Sequence, residues 1–257
     1  MAITNFLDYV TYPNEDQREQ ILTDYFDTQK LQLDLTQYLT LNNLTEKITT
    51  NAFDSRGLFY TVNKDLRENV RRYNNDVFYL TDALFRMVHY YHLMTDSTTR
   101  DETLIYEVLF RRSARCVCSE IFMYEEKIKN LLRVLLRFNK KKTQKYDDFK
   151  EELKRHTKNN IHIKRFLKSL NKYENSSYVR FIKKTRNDEI HNDSVIDKYT
   201  DVQTLAKGVT AHCSVHYIIR NETLFSNIQQ ALQQQVILKN SLQTVLDNHK
   251  IQPKKAM

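Results

Sequence analysis

The chain has 257 residues but only two glycines and two prolines, where the usual shares would supply about 30. Turns with φ > 0 default to Gly, so a sandwich, a barrel or a doubly wound sheet is excluded; with Gly57 and Gly208 standing alone, so is a glycine-rich phosphate loop. Apolar residues at 40%, charged residues at 28% and a net charge of +8 leave an all-α protein, an antiparallel bundle of long helices joined by polar turns.

Residues 1–13 read as a lead-in ending at Pro13. Asn14 is placed to cap a helix whose first turn is acidic (Glu15, Asp16) and whose apolar face carries Ile21, Leu22, Tyr25 and Phe26, running to about Leu39. Polar residues at Asn42–Asn43 and Asn51–Gly57 mark a break. Leu66, Val70, Tyr73, Val77, Leu80, Leu84, Met87 and Tyr91 then alternate spacings of four and three, a heptad-like stripe that packs against other helices of the bundle. After a turn at Asp96–Thr99, a long helix is predicted from about Asp101 to Phe138, with Leu104, Val108, Ile121, Ile128, Leu131 and Leu135 near one face.

Two shorter amphipathic helices follow over 145–156 and 161–174, separated by Lys158-Asn-Asn160. Asn175-Ser-Ser177 reads as a cap, and Tyr178, Val179, Phe181 and Ile182 form an apolar patch leading into Arg186-Asn-Asp-Glu-Ile-His191. Val202, Leu205, Val209, Cys213 and Tyr217 mark a further helix, and a Gln-rich one spans about 224–248. The expected organisation is an N-terminal helical extension over 1–100 that packs on the bundle, a helical bundle over 101–225, and a C-terminal helix and tail over 226–257.

No apolar run approaches the roughly 18 residues of a membrane span, and the first residues lack a basic start followed by an apolar stretch, so neither membrane insertion nor a signal peptide is expected. Cys116, Cys118 and Cys213 are an odd count with no CxxC pair, the usage of a reduced cytoplasmic protein.

Charge is unevenly placed. Lys127 to Arg186 hold 20 Lys/Arg against five Asp/Glu, a net of +15, which leaves −7 for the rest of the chain. Such a segment is either a set of solvated helix faces or the footprint of a polyanion, RNA first. Tyr124, Phe138, Tyr146 and Phe149 interleave with it, as base-stacking platforms or as core aromatics. His212 and His216, with Cys213 between them, share a helical face as a metal pair would, but no third ligand is evident, and no metal or other cofactor is expected. His89 and His92 sit among tyrosines as core or interface residues. Cys116 and Cys118, two apart on a helix, point to different faces.

Arg186-Asn-Asp-Glu-Ile-His191 contains Arg-x4-His with Asn after the Arg. The loose form R-x(4–6)-H is expected about 1.6 times by chance in a chain of this composition, and it recurs at Arg86–His92 and Arg155–His162. The tighter R-N-x3-H is expected only about 0.04 times.

This segment resembles the signature of the HEPN superfamily, over a stretch covering about residues 100–225. The resemblance implies a metal-independent RNA endonuclease, of the kind found in phage defence and toxin–antitoxin systems, or a non-catalytic module that binds RNA, nucleotides or a partner protein. It implies Arg186 and His191 as catalytic residues with Asn187 and Asp188 in support. Arg133, Arg137, Lys183 and Lys184 are the candidate RNA contacts. The partners it implies are RNA, a second copy of the chain that completes the cleft, and an antitoxin protein.

The chemistry suits the residue types. A 2′-hydroxyl attacks its own phosphate when a base takes its proton and an acid protonates the leaving 5′-oxygen, tasks within reach of imidazole near neutrality. Arg offers a permanent fork to the phosphorane oxygens. Asp188, Glu189 and Asp193 bear two readings: repulsion of phosphate, or anchorage of Arg186 with support for a protonated His191. An ordinary polar helix N-terminus with internal ion pairs is the competing reading of the whole motif.

Overall fold

The computed structural model describes residues 6–26, 40–41, 58–139, 141–191 and 219–248. Seven α-helices account for most of them: α1 (Glu15–Phe26), α2 (Leu58–Asp96), α3 (Arg100–Leu135), α4 (Tyr146–His156), α5 (Ile161–Asn175), α6 (Ser177–His191) and α7 (Asn221–Asn248). Short 3₁₀ turns lie at Phe6–Tyr9 and Thr157–Asn159, and no strand occurs among the described residues. The described residues are all-helical. The expected continuation of the first helix to Leu39 and the helix over 202–217 lie outside the described residues.

Helix ends follow local side-chain chemistry. Asn14 and Gln17 form a reciprocal capping box: Gln17 N–H donates to Asn14 Oδ1 at 2.9 Å and Asn14 N–H to Gln17 Oε1 at 3.0 Å. Thr99 caps α3, its hydroxyl accepting the Glu102 N–H and donating to the Glu102 carboxylate. Asn160 caps α5 by accepting from both His162 N–H and Ile163 N–H. α3 stops at Leu135, before the expected Phe138. There Arg137 adopts φ 55°, and the Phe138 N–H reaches back to the Arg133 carbonyl. That is a Schellman closure with arginine where glycine is usual.

Among the described residues the chain divides into two compact units. The first gathers 6–26, 79–122, 177–191 and 219–233; the second gathers 40–41, 58–78, 123–176 and 234–248. α2, α3 and α7 thus each contribute to both.

In the first unit α2 and α3 are antiparallel, joined by residues 97–99. Tyr91 packs at 5.4 Å from Phe110 and stacks at 4.0 Å on Phe225 of α7. Thr11 is bonded twice to α2, through its hydroxyl to His89 Nε2 at 2.9 Å and by accepting from Tyr90 OH at 2.7 Å. Burial, with His92 close by, pushes the His89 imidazole below its usual pKa. Buried Arg111 donates to Glu107 Oε1 at 3.0 Å and to the Ile219 carbonyl at 3.1 Å, and Asn221 donates to the same Glu107 oxygen at 3.1 Å. These bonds tie the start of α7 to α3.

In the second unit the α2 stripe meets α3 and α5 around tyrosines. Tyr73 and Tyr124 share a 2.8 Å hydrogen bond between hydroxyls, and Tyr173 packs 5.9 Å from Tyr124. α4 buries Phe149 and Leu153, and α5 buries Ile163, Phe166, Leu170 and Tyr173. The heptad-like stripe is core as expected, with Leu66 through Met87 buried and Tyr91 half-buried. Leu104, assigned to the apolar face of α3, is 36% exposed.

Candidate functional site

The motif lies on α6. Val179, Ile182 and Thr185 are buried, at the spacing of a helix with one inward stripe. α6 continues unbroken from this patch through His191, the last residue described there. The motif is therefore not at the N-terminus of this helix.

Arg186 follows the buried stripe. It is half-buried, and its guanidinium carbon stands 4.2 Å from the centroid of the Phe122 ring on α3. A planar cation against an aromatic face is held by the ring quadrupole, an attraction worth about 0.5–2 kcal/mol depending on desolvation. Phe122, 64 residues earlier in the chain, is the ring partner of Arg186 that sequence reasoning missed, since no local pattern pairs the two.

Asn187 and Lys184 are exposed; Asp188 and Lys183 are half-buried. The backbone of His191 stands one turn beyond Asn187 on α6, while its side chain lies outside those described. Five residues of helix rotate the chain by about 140°. The backbone positions of Arg186 and His191 are thus offset around the axis of α6.

Arg133 and Arg137 belong to the second unit, apart in the chain's division from Lys183, Lys184 and the motif. Arg133 donates to the Thr143 hydroxyl at 2.9 Å, to the Thr143 carbonyl, and to Asn130 Oδ1 at 3.2 Å. Its fork holds the α3–α4 connection. Arg137 is exposed at the Schellman closure.

The basic segment resolves into paired and unpaired cations. Lys127 bridges Asp76 at 3.2 Å, Lys129 pairs with Glu126, Lys150 with Glu174 at 2.5 Å, Lys154 with Glu151 at 2.5 Å and Arg155 with Glu152 at 2.8 Å. All three cations of α4 through Arg155 are thus neutralised locally. Of the aromatic residues interleaved with the segment, Tyr124 and Phe149 are core, while Phe138, against Phe149 and His156, and Tyr146, against Phe149, are half-buried.

Cys118 is buried and Cys116 exposed, on different faces as expected. Among the described residues no group of three His, Cys, Asp or Glu side chains is arranged to hold a metal ion, and no helix is long and apolar enough to cross a membrane. His212, Cys213 and His216 lie outside the described residues. No family model, curated protein or solved structure matches the chain.

Proposed function

We propose that this chain is an RNA endonuclease of the HEPN type that works without a metal. The observation that carries the reading is Arg186 seated on Phe122 immediately before the exposed Asn187, within R-N-x3-H. In this reading the 2′-oxygen bonds to the adjacent phosphorus as the bond to the 5′-oxygen breaks, leaving a 2′,3′-cyclic phosphate and a 5′-hydroxyl. His191 exchanges the proton and Arg186 neutralises the phosphorane oxygens, while Asn187 and Asp188 support Arg186 and His191. One imidazole supplies one proton-transfer group. A second copy across a two-fold axis supplies the other. Phage defence or a toxin–antitoxin pair, with an antitoxin protein as partner, is the setting we attach to this activity.

The test is cleavage of total RNA in EDTA by the wild type, Arg186→Ala and His191→Ala. Each substitution is expected to lower the rate by about 100-fold or more. Undiminished cleavage by either variant overturns the reading, and loss of activity on chelation overturns its metal independence. Light scattering after size exclusion is expected to give the mass of a dimer; a strict monomer removes the composite cleft. A second reading, a non-catalytic module binding RNA, nucleotides or a partner protein, draws on the same contact, because Phe122 gives Arg186 a structural role. Salt-sensitive RNA binding without cleavage by the wild type selects it.

A further inference from the structure

α5 has two unlike faces. Ile163, Phe166, Leu170 and Tyr173 are buried, while Lys164, Lys168 and Lys172 are exposed on the opposite side at i, i+4 and i+8. With Leu167, Asn171 and Asn175 they line a shallow groove of ≈ 440 Å³. None of the three lysines makes an ion pair or side-chain hydrogen bond with a described residue, in contrast to Lys150, Lys154 and Arg155 of α4. Like charges at i, i+4 oppose a helix, and no carboxylate is interposed among these three. Glu174, the one acid of α5, is engaged by Lys150.

Successive lysines of this file rise about 6 Å along the axis, close to the separation of neighbouring phosphates on a nucleic-acid strand. The geometry points to a single RNA strand lying along this ridge, its successive phosphates on Lys164, Lys168 and Lys172 and its sugars over Leu167. Asn171 stands between the lysines with an amide that both donates and accepts. The ridge rests on the RNA reading above, but on residues outside the motif and in the other compact unit. A membrane surface fits less well, since the apolar face such a helix would insert is already in the core. A protein partner also fits less well, because lysine is depleted from protein interfaces and the groove has no aromatic anchor.

The probe is a fluorescent single-stranded RNA with 2′-O-methyl riboses, which lacks the nucleophile and cannot be cut. Anisotropy titrations across a salt series compare the wild type with Lys164→Gln/Lys168→Gln/Lys172→Gln. The control is Lys141→Gln/Lys142→Gln/Lys158→Gln, which removes the same charge from other exposed positions. Loss of three phosphate contacts is expected to reduce the slope of log affinity against log salt by about 2 and to weaken binding by about 100-fold at 0.1 M salt. The control is expected to lose less than about tenfold. Thermal melts of both variants are expected to match the wild type, as the substituted side chains are exposed.

An unchanged slope in the ridge variant, or an equal loss in the control, overturns the ridge. So does ridge-dependent binding to phosphatidylglycerol vesicles without RNA binding. A wild type that binds the probe through the ridge yet leaves unmodified RNA intact removes the endonuclease reading and retains the ridge. One that cuts RNA with ridge-independent binding does the reverse.

Discussion

Arg137 shows how a chain almost without glycine ends a long helix. Its φ of 55° places a Cβ in the left-handed region, at a cost of roughly 1–2 kcal/mol that Gly does not bear. The Phe138 N–H to Arg133 carbonyl bond and the Arg133–Thr143 contacts hold the turn around it. Arg137→Gly is expected to stabilise the fold by about 1 kcal/mol, the relief of strain exceeding the entropy of added freedom. A denaturant titration checks this; an unchanged or lowered midpoint counts against a strained backbone. If Arg137 also meets RNA, the same variant binds more weakly while unfolding later, opposite signs that a folding defect does not produce. Arg133 and Arg186 are likewise divided between duties: the first braces a connection, and the second rests on Phe122. Equal weight for every basic residue, as a charge count gives, conceals this.

Helices α4 and α5 are neighbours in sequence, yet their charges are handled differently. α4 opens with Asp147 and Asp148 and closes with Lys154, Arg155 and His156, complementing its dipole and pairing internally. α5 has no acid in its first turn and depends for its start on Asn160, which accepts from two backbone N–H groups at 2.9 and 3.1 Å. Asn160→Ala is expected to cost about 1 kcal/mol, and Asn160→Asp to recover most of it. Thermal melts of the two variants decide: equal losses in both mean the cap is not what begins the helix. The existence and spans of α2, α4 and α5 were legible in the sequence because their buried stripes repeat at helical spacing. The end of α3 was not, because a Schellman turn without glycine leaves no local mark.

Tyrosines link α2, α3 and α5 within the second unit. Burial is the leading reason that the phenols of Tyr73, Tyr124, Tyr146 and Tyr173 are held above their usual pKa; the carboxylates of Glu125 and Glu174 add to it for Tyr146, and Glu125 for Tyr173. Because the folded-state values exceed the unfolded value of about 10, these groups favour the native state fully below that pH. Their contribution is lost as pH rises through about 10 toward the folded values. The melting midpoint is therefore expected to fall steeply above about pH 10, with tyrosinate absorbance from these residues appearing as the fold is lost. Titration of all 16 tyrosines in a still-folded protein would contradict the buried cluster.

The amino-acid sequence decided the helical class, the positions of most helices, the concentration of basic residues and the presence of R-N-x3-H. Each is local: glycine scarcity, apolar period and charge spacing act within a few turns of chain. Folding decided which cations are available. Lys127 is paired with Asp76 and Arg186 is seated against Phe122, partners distant in sequence, while Lys164, Lys168 and Lys172 are left facing outward. Electrostatic and ring contacts depend on separation in space, which the order of residues along the chain does not encode.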